Sequence, residues 1–260
     1  MIKKTLVFRF FVPKEYKENI AIKMHFECLK RYSHIFDASI FSICFEDDDM
    51  SRAIEVEKDI MDCGFTKDVR FILEENHPLT ESIAIKKYIL DKLEDFDGLI
   101  FFGHTKGVTN VKTYSWDIES KLKWIYCLYF YCLEFMDDVI TNLIYSYPYI
   151  STFYGPLKST TDDCKTFYYP GTFYWINPKN LLNDINDGLV SIPKLGNRAF
   201  GENLPQIYKT TNTCHAVACH NQNWMHWYDL YNGDMDAVVK FFGDEELFYE
   251  KYNEIKKNIS

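Results

Sequence analysis

The chain has 260 residues, with 29 Lys and Arg against 38 Asp and Glu and a formal net charge of −9. At 47% hydrophobic and 26% charged residues it has the profile of a folded protein, long enough to bury a sizeable core. The acidic balance argues against a general nucleic-acid binder, because neutralising phosphates takes a basic face.

The start, Met1-Ile-Lys-Lys-Thr-Leu-Val-Phe-Arg9, places two lysines before an apolar run, as a signal peptide does. Arg9 interrupts that run and no small-residue cleavage site follows, so a first strand is expected instead. The apolar stretch Trp124–Phe135 contains Glu134, meets Asp137 and Asp138, and is too short to span a bilayer. Eight cysteines are scattered through the chain, and reduced thiols are expected rather than disulfides. Together these features point to a cytoplasmic protein without a transmembrane segment.

The first hundred residues alternate strand and helix patterns. Thr5–Val12 is an apolar run closed by Pro13, and Tyr16–Phe36 carries apolar residues at helical spacing. Ala38–Phe45 reads as a strand ending in the acidic run Glu46–Asp49. Ser51–Cys63 is a helix closed by Gly64, Val69–Leu73 a short strand, and Thr80–Leu93 a helix with Thr80 as N-cap. Gly98–Phe102 is the fourth strand. Such repeats indicate an α/β fold with a mostly parallel sheet and helices on both faces. Ligands of such sheets sit beyond the C-terminal strand ends, so residues 10–14, 46–49, 74–78 and 103–110 form the expected rim.

The second half is more elaborate. Trp116–Tyr145 reads as a long helical region, 146–170 as loop, and Thr166–Trp175 as an aromatic strand around Pro170-Gly171. A helix follows at Asn177-Pro178, residues 196–231 are irregular, and Ala237–Ile259 is an amphipathic helix or helix pair. No repeat or flexible linker divides the chain, so a single domain over 1–260 is expected.

The strongest local signal is Phe101-Phe-Gly-His104-Thr105-Lys106-Gly107, where a buried strand ends in a glycine-bracketed polar turn. Glycines permit close backbone approach, and Lys and His suit an anion such as a diphosphate. A tight polar turn without a ligand accounts for the same residues. Two further segments carry chemistry: Gly171-Thr172-Phe-Tyr174-Trp175, and Phe200-Gly-Glu202-Asn203. Aromatic faces suit sugar rings, and a carboxylate near a helix start suits a base toward an acceptor hydroxyl. Core packing for the aromatics and helix capping for Glu202 are the competing readings. Cys214-His215-Ala-Val-Ala-Cys219-His220 lacks the usual zinc-site spacing. Glu81, in the Pro78-Leu-Thr-Glu turn, either caps a helix start or faces the site. Cys28, Cys44, Cys63, Cys127 and Cys132 sit in apolar patterns as expected core residues.

This order of segments resembles a group of sugar-nucleotide-dependent glycosyltransferases of GT-A type, found in bacterial polysaccharide clusters and large DNA viruses. In that group a His-Thr-Lys-Gly turn stands where most relatives have Asp-x-Asp. The likeness spans roughly residues 3–210. It implies a GT-A-like, Rossmann-like domain with a nucleotide-sugar-binding half over 1–110 and an acceptor-side half over 111–260. It also implies transfer of a sugar from a nucleoside diphosphate sugar to a hydroxyl of a glycan. Asp47, His104, Thr105, Lys106 and Gly107 would bind the donor, and Gly171, Thr172, Tyr174 and Trp175 the acceptor. Glu202 would act as base and Lys106 would stabilise the leaving diphosphate. Asp95-Phe-Asp97 precedes the fourth strand, Asp47-Asp-Asp49 follows the second, and Asp234-Met-Asp236 lies near the C-terminus. None stands at the usual metal position, so no metal ligand is assigned, and the charges of Lys106 and His104 take over the metal's part. Asn203 stands where an Asp would complete a Glu-Asp pair. The alternatives are a non-catalytic nucleotide- or glycan-binding module on the same scaffold, and a related sugar-nucleotide hydrolase or nucleotidyltransferase.

Overall fold

A computed structural model describes residues 2–105, 108, 117–145, 152–155, 159–160, 167–168, 172–192, 204, 214–216, 225–226 and 234–259. Its first half follows the predicted alternation closely. Strand β1 (Lys4–Val12) is almost wholly buried and stops at Pro13, which has no amide to extend the ladder. Helix α1 (Ile20–Tyr32) begins at Asn19, whose Oδ1 accepts from the amides of Ala21 and Ile22. Strand β2 (Ala38–Phe45) leads to a 3₁₀ turn and then α2 (Ala53–Met61), and Gly64 supplies the positive φ that turns the chain toward β3 (Val69–Leu73).

Helix α3 (Thr80–Tyr88) differs from expectation at its start. Thr80 is its first helical residue and Leu79 holds the cap position without a side-chain cap, the Leu79 amide donating instead to His77 Nδ1. A kinked 3₁₀ segment, Leu90–Asp95, separates α3 from β4 (Leu99–His104). Gly98, at φ 139°, is required there, because a Cβ would fall 2.1 Å from the Lys3 carbonyl oxygen.

In the second half α4 (Ile118–Leu133) and α5 (Met136–Ile140) are followed by a π-helical turn over Thr141–Tyr145. Short strands β5 (Phe153–Gly155), β6 (Ser159–Thr160) and β7 (Phe167–Tyr168) come next. They occupy part of the stretch expected to be loop. The expected aromatic strand is divided between β7 and β8 (Tyr174–Ile176), which belong to different sheets. Pro178 opens α6 (Pro178–Asn186), capped by Asn177. Strands β9 (Cys214–Ala216) and β10 (Met225–His226) precede the C-terminal pair α7 (Met235–Phe242) and α8 (Glu245–Ile259).

Among the described residues the main sheet runs β3-β2-β1-β4-β8-β5-β9. β1 to β4 are mutually parallel, β8 is antiparallel to both β4 and β5, and β9 is parallel to β5. β6, β7 and β10 form a small second sheet.

Alternation along the strands divides the core in two. Leu6, Phe8, Phe10 and Val12 point to one face, where α1, α2, α4, α7 and α8 pack. Val7, Ile100, Phe102 and Tyr174 point to the other, under α3 and α6. The helices therefore cover both faces, as predicted. Helix α4 is apolar nearly all round because it lies between the sheet and the C-terminal helices. Trp124 and every residue from Ile125 to Leu133 are buried. The thiols of Cys28, Cys44, Cys63, Cys127 and Cys132 are free and buried, and burial pushes each above the usual thiol value. Among the described residues no helix is long and apolar enough to cross a membrane.

Candidate functional site

The strand order reverses between β1 and β4: β2 and β3 extend to one side of β1, and the chain then crosses to place β4 on the other. At such a switch point the connections leave the strand ends in opposite directions and open a crevice. A cleft of about 690 Å³ lies there, lined in part by Phe11, Lys14, Asn19, Glu46, Val108 and Lys121. It thus gathers the ends of β1 and β2, the starts of α1 and α4, and Val108 beyond β4.

Its lip is held by specific polar contacts. Asn19 caps α1 through Oδ1 and donates through Nδ2 to the Val108 carbonyl at 3.1 Å. Arg52 donates from Nη1 to the carbonyls of Pro13 (3.2 Å) and Lys14 (2.7 Å), and from Nη2 to Asp47 Oδ1 (2.7 Å). The Lys14 amide donates to Glu46 Oε2 at 3.0 Å. The loop after β1 is thereby fixed to the end of β2. Asp47, an expected donor-binding residue, sits on this rim as the ion-pair partner of Arg52. Lys14 and Lys121 line the cleft, as do Glu15, Glu18 and Glu46, so its charge is mixed.

The end of β4 is organised differently from its sequence reading. Gly103 faces the core, where a Cβ would stand 3.0 Å from the Phe8 ring and 3.1 Å from the Phe173 ring. This glycine makes room for two aromatic rings. The Thr105 hydroxyl accepts from the Phe11 amide at 2.8 Å and donates to the Phe11 carbonyl at 3.2 Å, while the Thr105 amide donates to the Arg9 carbonyl. Thr105 is buried and joins β1 to the end of β4. His104 is half-buried, with its ring centroid 5.8 Å from that of Phe173 and Nε2 3.4 Å from Glu81 Oε2. Glu81 belongs to the first turn of α3 and faces the β4 end from there.

Beside this pair lies a polar layer that sequence reasoning missed. Arg9 stands opposite Ser42 on β2 and opposite His104 on β4, so the three side chains share one face of the sheet. Arg9 is only 2% exposed. Its Nη1 donates to Ser42 Oγ and lies 3.5 Å from Glu74 Oε2, whereas Nε and Nη2 have no partner among the described residues. Glu74 also accepts from Lys87 Nζ at 2.6 Å and from the Tyr88 hydroxyl. Burial pushes the Glu74 carboxyl up, but hydrogen bonds from Lys87 and Tyr88, with the charges of Lys87 and Arg9, outweigh it and hold the group below its ordinary value. The one sequence signal for this layer was an arginine inside an otherwise apolar strand.

Of the expected acceptor-side residues, Thr172, Tyr174 and Trp175 are among those described. Trp175 is fully buried, donates from Nε1 to the Cys132 carbonyl at 2.8 Å, and packs on Phe36 and Phe101. Tyr174 is fully buried against Phe102 and Phe153. Both rings are packed in the core. Thr172 is likewise buried, at a positive φ of 54° and with no partner for its hydroxyl among the described residues. Lys106, Gly107, Gly171 and Glu202 lie outside the described residues, as do Asn203 and His220. His215 is described only as the β9 residue paired with Tyr154. Asp234, from the last Asp-x-Asp, caps α7, and Asp236 accepts from Lys123 and Tyr249. Among the described residues no group of three or more His, Cys, Asp or Glu is arranged to hold a metal ion.

The described edge thus holds a cleft whose lip is tied by hydrogen bonds from Asn19, Arg52 and the Lys14 amide. A half-buried imidazole–carboxylate pair lies at the end of β4, the strand that bounds the switch point with β1. Comparison with protein-family models gives no match, and comparison with curated proteins gives none either.

Proposed function

We propose that the chain is a GT-A-type glycosyltransferase that moves a sugar from a nucleoside diphosphate sugar to a hydroxyl of a glycan acceptor. The observation carrying this reading is the cleft at the β1/β4 switch point of a mostly parallel sheet. Beside β4, the short antiparallel strand β8 is followed by α6, within the half that the resemblance implies for the acceptor.

In this reading the base and ribose lie along Phe11–Lys14 and near Asp47, and the diphosphate lies at the end of β4, beside His104 and Lys106. The acceptor oxygen forms a bond to the anomeric carbon while the bond from that carbon to the diphosphate oxygen breaks. In an inverting reaction Glu202 takes the acceptor proton, and Lys106 with His104 offsets the charge of the departing nucleoside diphosphate. Thr105 supports the site by joining its two strands through Phe11.

Slow donor hydrolysis across UDP-, GDP-, dTDP- and CMP-sugars, each with EDTA and with Mn²⁺, tests the proposal. Release of a nucleoside phosphate and free sugar from one donor is expected. Persistence of that release in EDTA supports charge compensation by Lys106 and His104. Tight binding of one nucleotide with no turnover, even with glycan acceptors, would identify a binding module instead.

A further inference from the structure

The edge of β4 carries an interaction that the sequence reading left undecided. Glu81 lies one position into α3, where a carboxylate is favoured by the helix dipole and by solvent. Its Oε2 is nevertheless 3.4 Å from His104 Nε2, and the two side chains are only 22% and 13% exposed. Phe173 approaches the same imidazole, so an aromatic ring and a carboxylate both restrict it.

The charges around His104 make this contact consequential. Arg9, opposite His104 on β1, is a buried cation that disfavours a second positive charge next to it. Glu74 lies against Arg9 but is shared with Lys87 and Tyr88. Among the described charged residues facing this layer, Glu81 is therefore the anion set against His104 itself.

We propose that Glu81 is a positioning residue for His104: it orients the imidazole and holds it in the positively charged form at the edge of β4. The ring then carries a positive charge where an anionic diphosphate is proposed to lie, despite the neighbouring Arg9. The inference rests on the nucleotide-sugar reading for its ligand but not for the pair itself.

Two measurements separate these dependencies. Imidazole ¹⁵N NMR on the full chain, with His104 assigned through His104→Gln, reads the pair without ligand. Glu81→Gln keeps the shape and removes the charge, and is expected to move the His104 titration to lower pH. Glu81→Ala is expected to move it in the same direction and to free the ring from one orientation. An unchanged His104 titration in both folded variants overturns the proposal.

Calorimetric titration with UDP, GDP, dTDP and CMP then reads the consequence. Glu81→Gln is expected to weaken the best-bound nucleotide about tenfold at pH 7.5, with wild-type affinity regained within about twofold at pH 5.5. A purely structural role for Glu81 predicts a loss that acid does not restore, and that result also overturns the proposal. Failure of the wild type to bind any of the four nucleotides removes the diphosphate reading, while the NMR titration still decides the pair.

Discussion

The Thr105 hydroxyl takes a hydrogen bond from the Phe11 amide at 2.8 Å and returns one to the Phe11 carbonyl at 3.2 Å, across 94 positions of sequence. This reciprocal pair joins β1 and β4 where the strand order reverses, so the wall of the cleft is held by a side chain as well as by the ladder.

Thr105→Val keeps the branched shape and removes both hydrogen bonds. It is expected to lower stability by about 1–3 kcal/mol, because the Phe11 amide is left without its partner. Thr105→Ser retains the hydroxyl and should lose less than about 1 kcal/mol. Urea denaturation followed by tryptophan fluorescence compares the two. Equal losses would mean that the hydroxyl contributes nothing.

Gly103→Ala places a methyl group against the rigid rings of Phe8 and Phe173. Overpacking of this kind costs about 1–3 kcal/mol. Thermal unfolding should show the lowered midpoint in the absence of any ligand. An unchanged midpoint combined with loss of nucleotide binding would instead assign Gly103 to ligand approach.

Glu74 and Arg9 should respond asymmetrically. Glu74→Gln leaves a buried guanidinium without its carboxylate and is expected to cost about 3 kcal/mol at neutral pH. Arg9→Met removes a buried cation with two nitrogens unpartnered among the described residues, while Glu74 keeps Lys87 and Tyr88, so its cost should stay near 1 kcal/mol. Lys87 is more than half exposed, and Lys87→Ala should cost less than about 1 kcal/mol. A larger loss for Arg9→Met than for Glu74→Gln would contradict this ordering.

The same carboxylate sets an acid limb of stability. The folded Glu74 titrates below its ordinary value of 4.5, so its contribution is complete above that pH. It is lost as pH falls through the lower folded value. The stability advantage of wild type over Glu74→Gln should therefore shrink progressively below about pH 4.5. A constant difference down to pH 3 would contradict the lowered value.

Much of the first half of this fold was legible because its signals are long and reinforce one another. Thr5–Val12 and Ala38–Phe45 are apolar on both faces, as parallel strands covered by helices must be, and Pro13 and Gly64 punctuate the pattern. The three-residue strands at Phe153 and Cys214 escaped because three residues carry no readable period, and β8 reads only as the end of a longer aromatic strand. The site was harder still. An aromatic pair such as Tyr174 and Trp175 has the same composition whether it stacks on a sugar or fills a core, and only packing against Phe102 and Phe101 decides between them. Thr105 reads as a polar turn residue until β1 is set beside it. Arg9 reads as an interruption until Ser42 and Glu74, 33 and 65 positions away, are brought against it.

Hydrogen–deuterium exchange on the intact chain, with saturating UDP, GDP, dTDP or CMP, tests most directly whether the switch point is a nucleotide site. One of the four nucleotides is predicted to slow exchange in segments 11–15, 46–48 and 103–108, with little change in the C-terminal helices α7 and α8. Slowed exchange confined to other segments, or no change with any of the four, would contradict the proposed donor site.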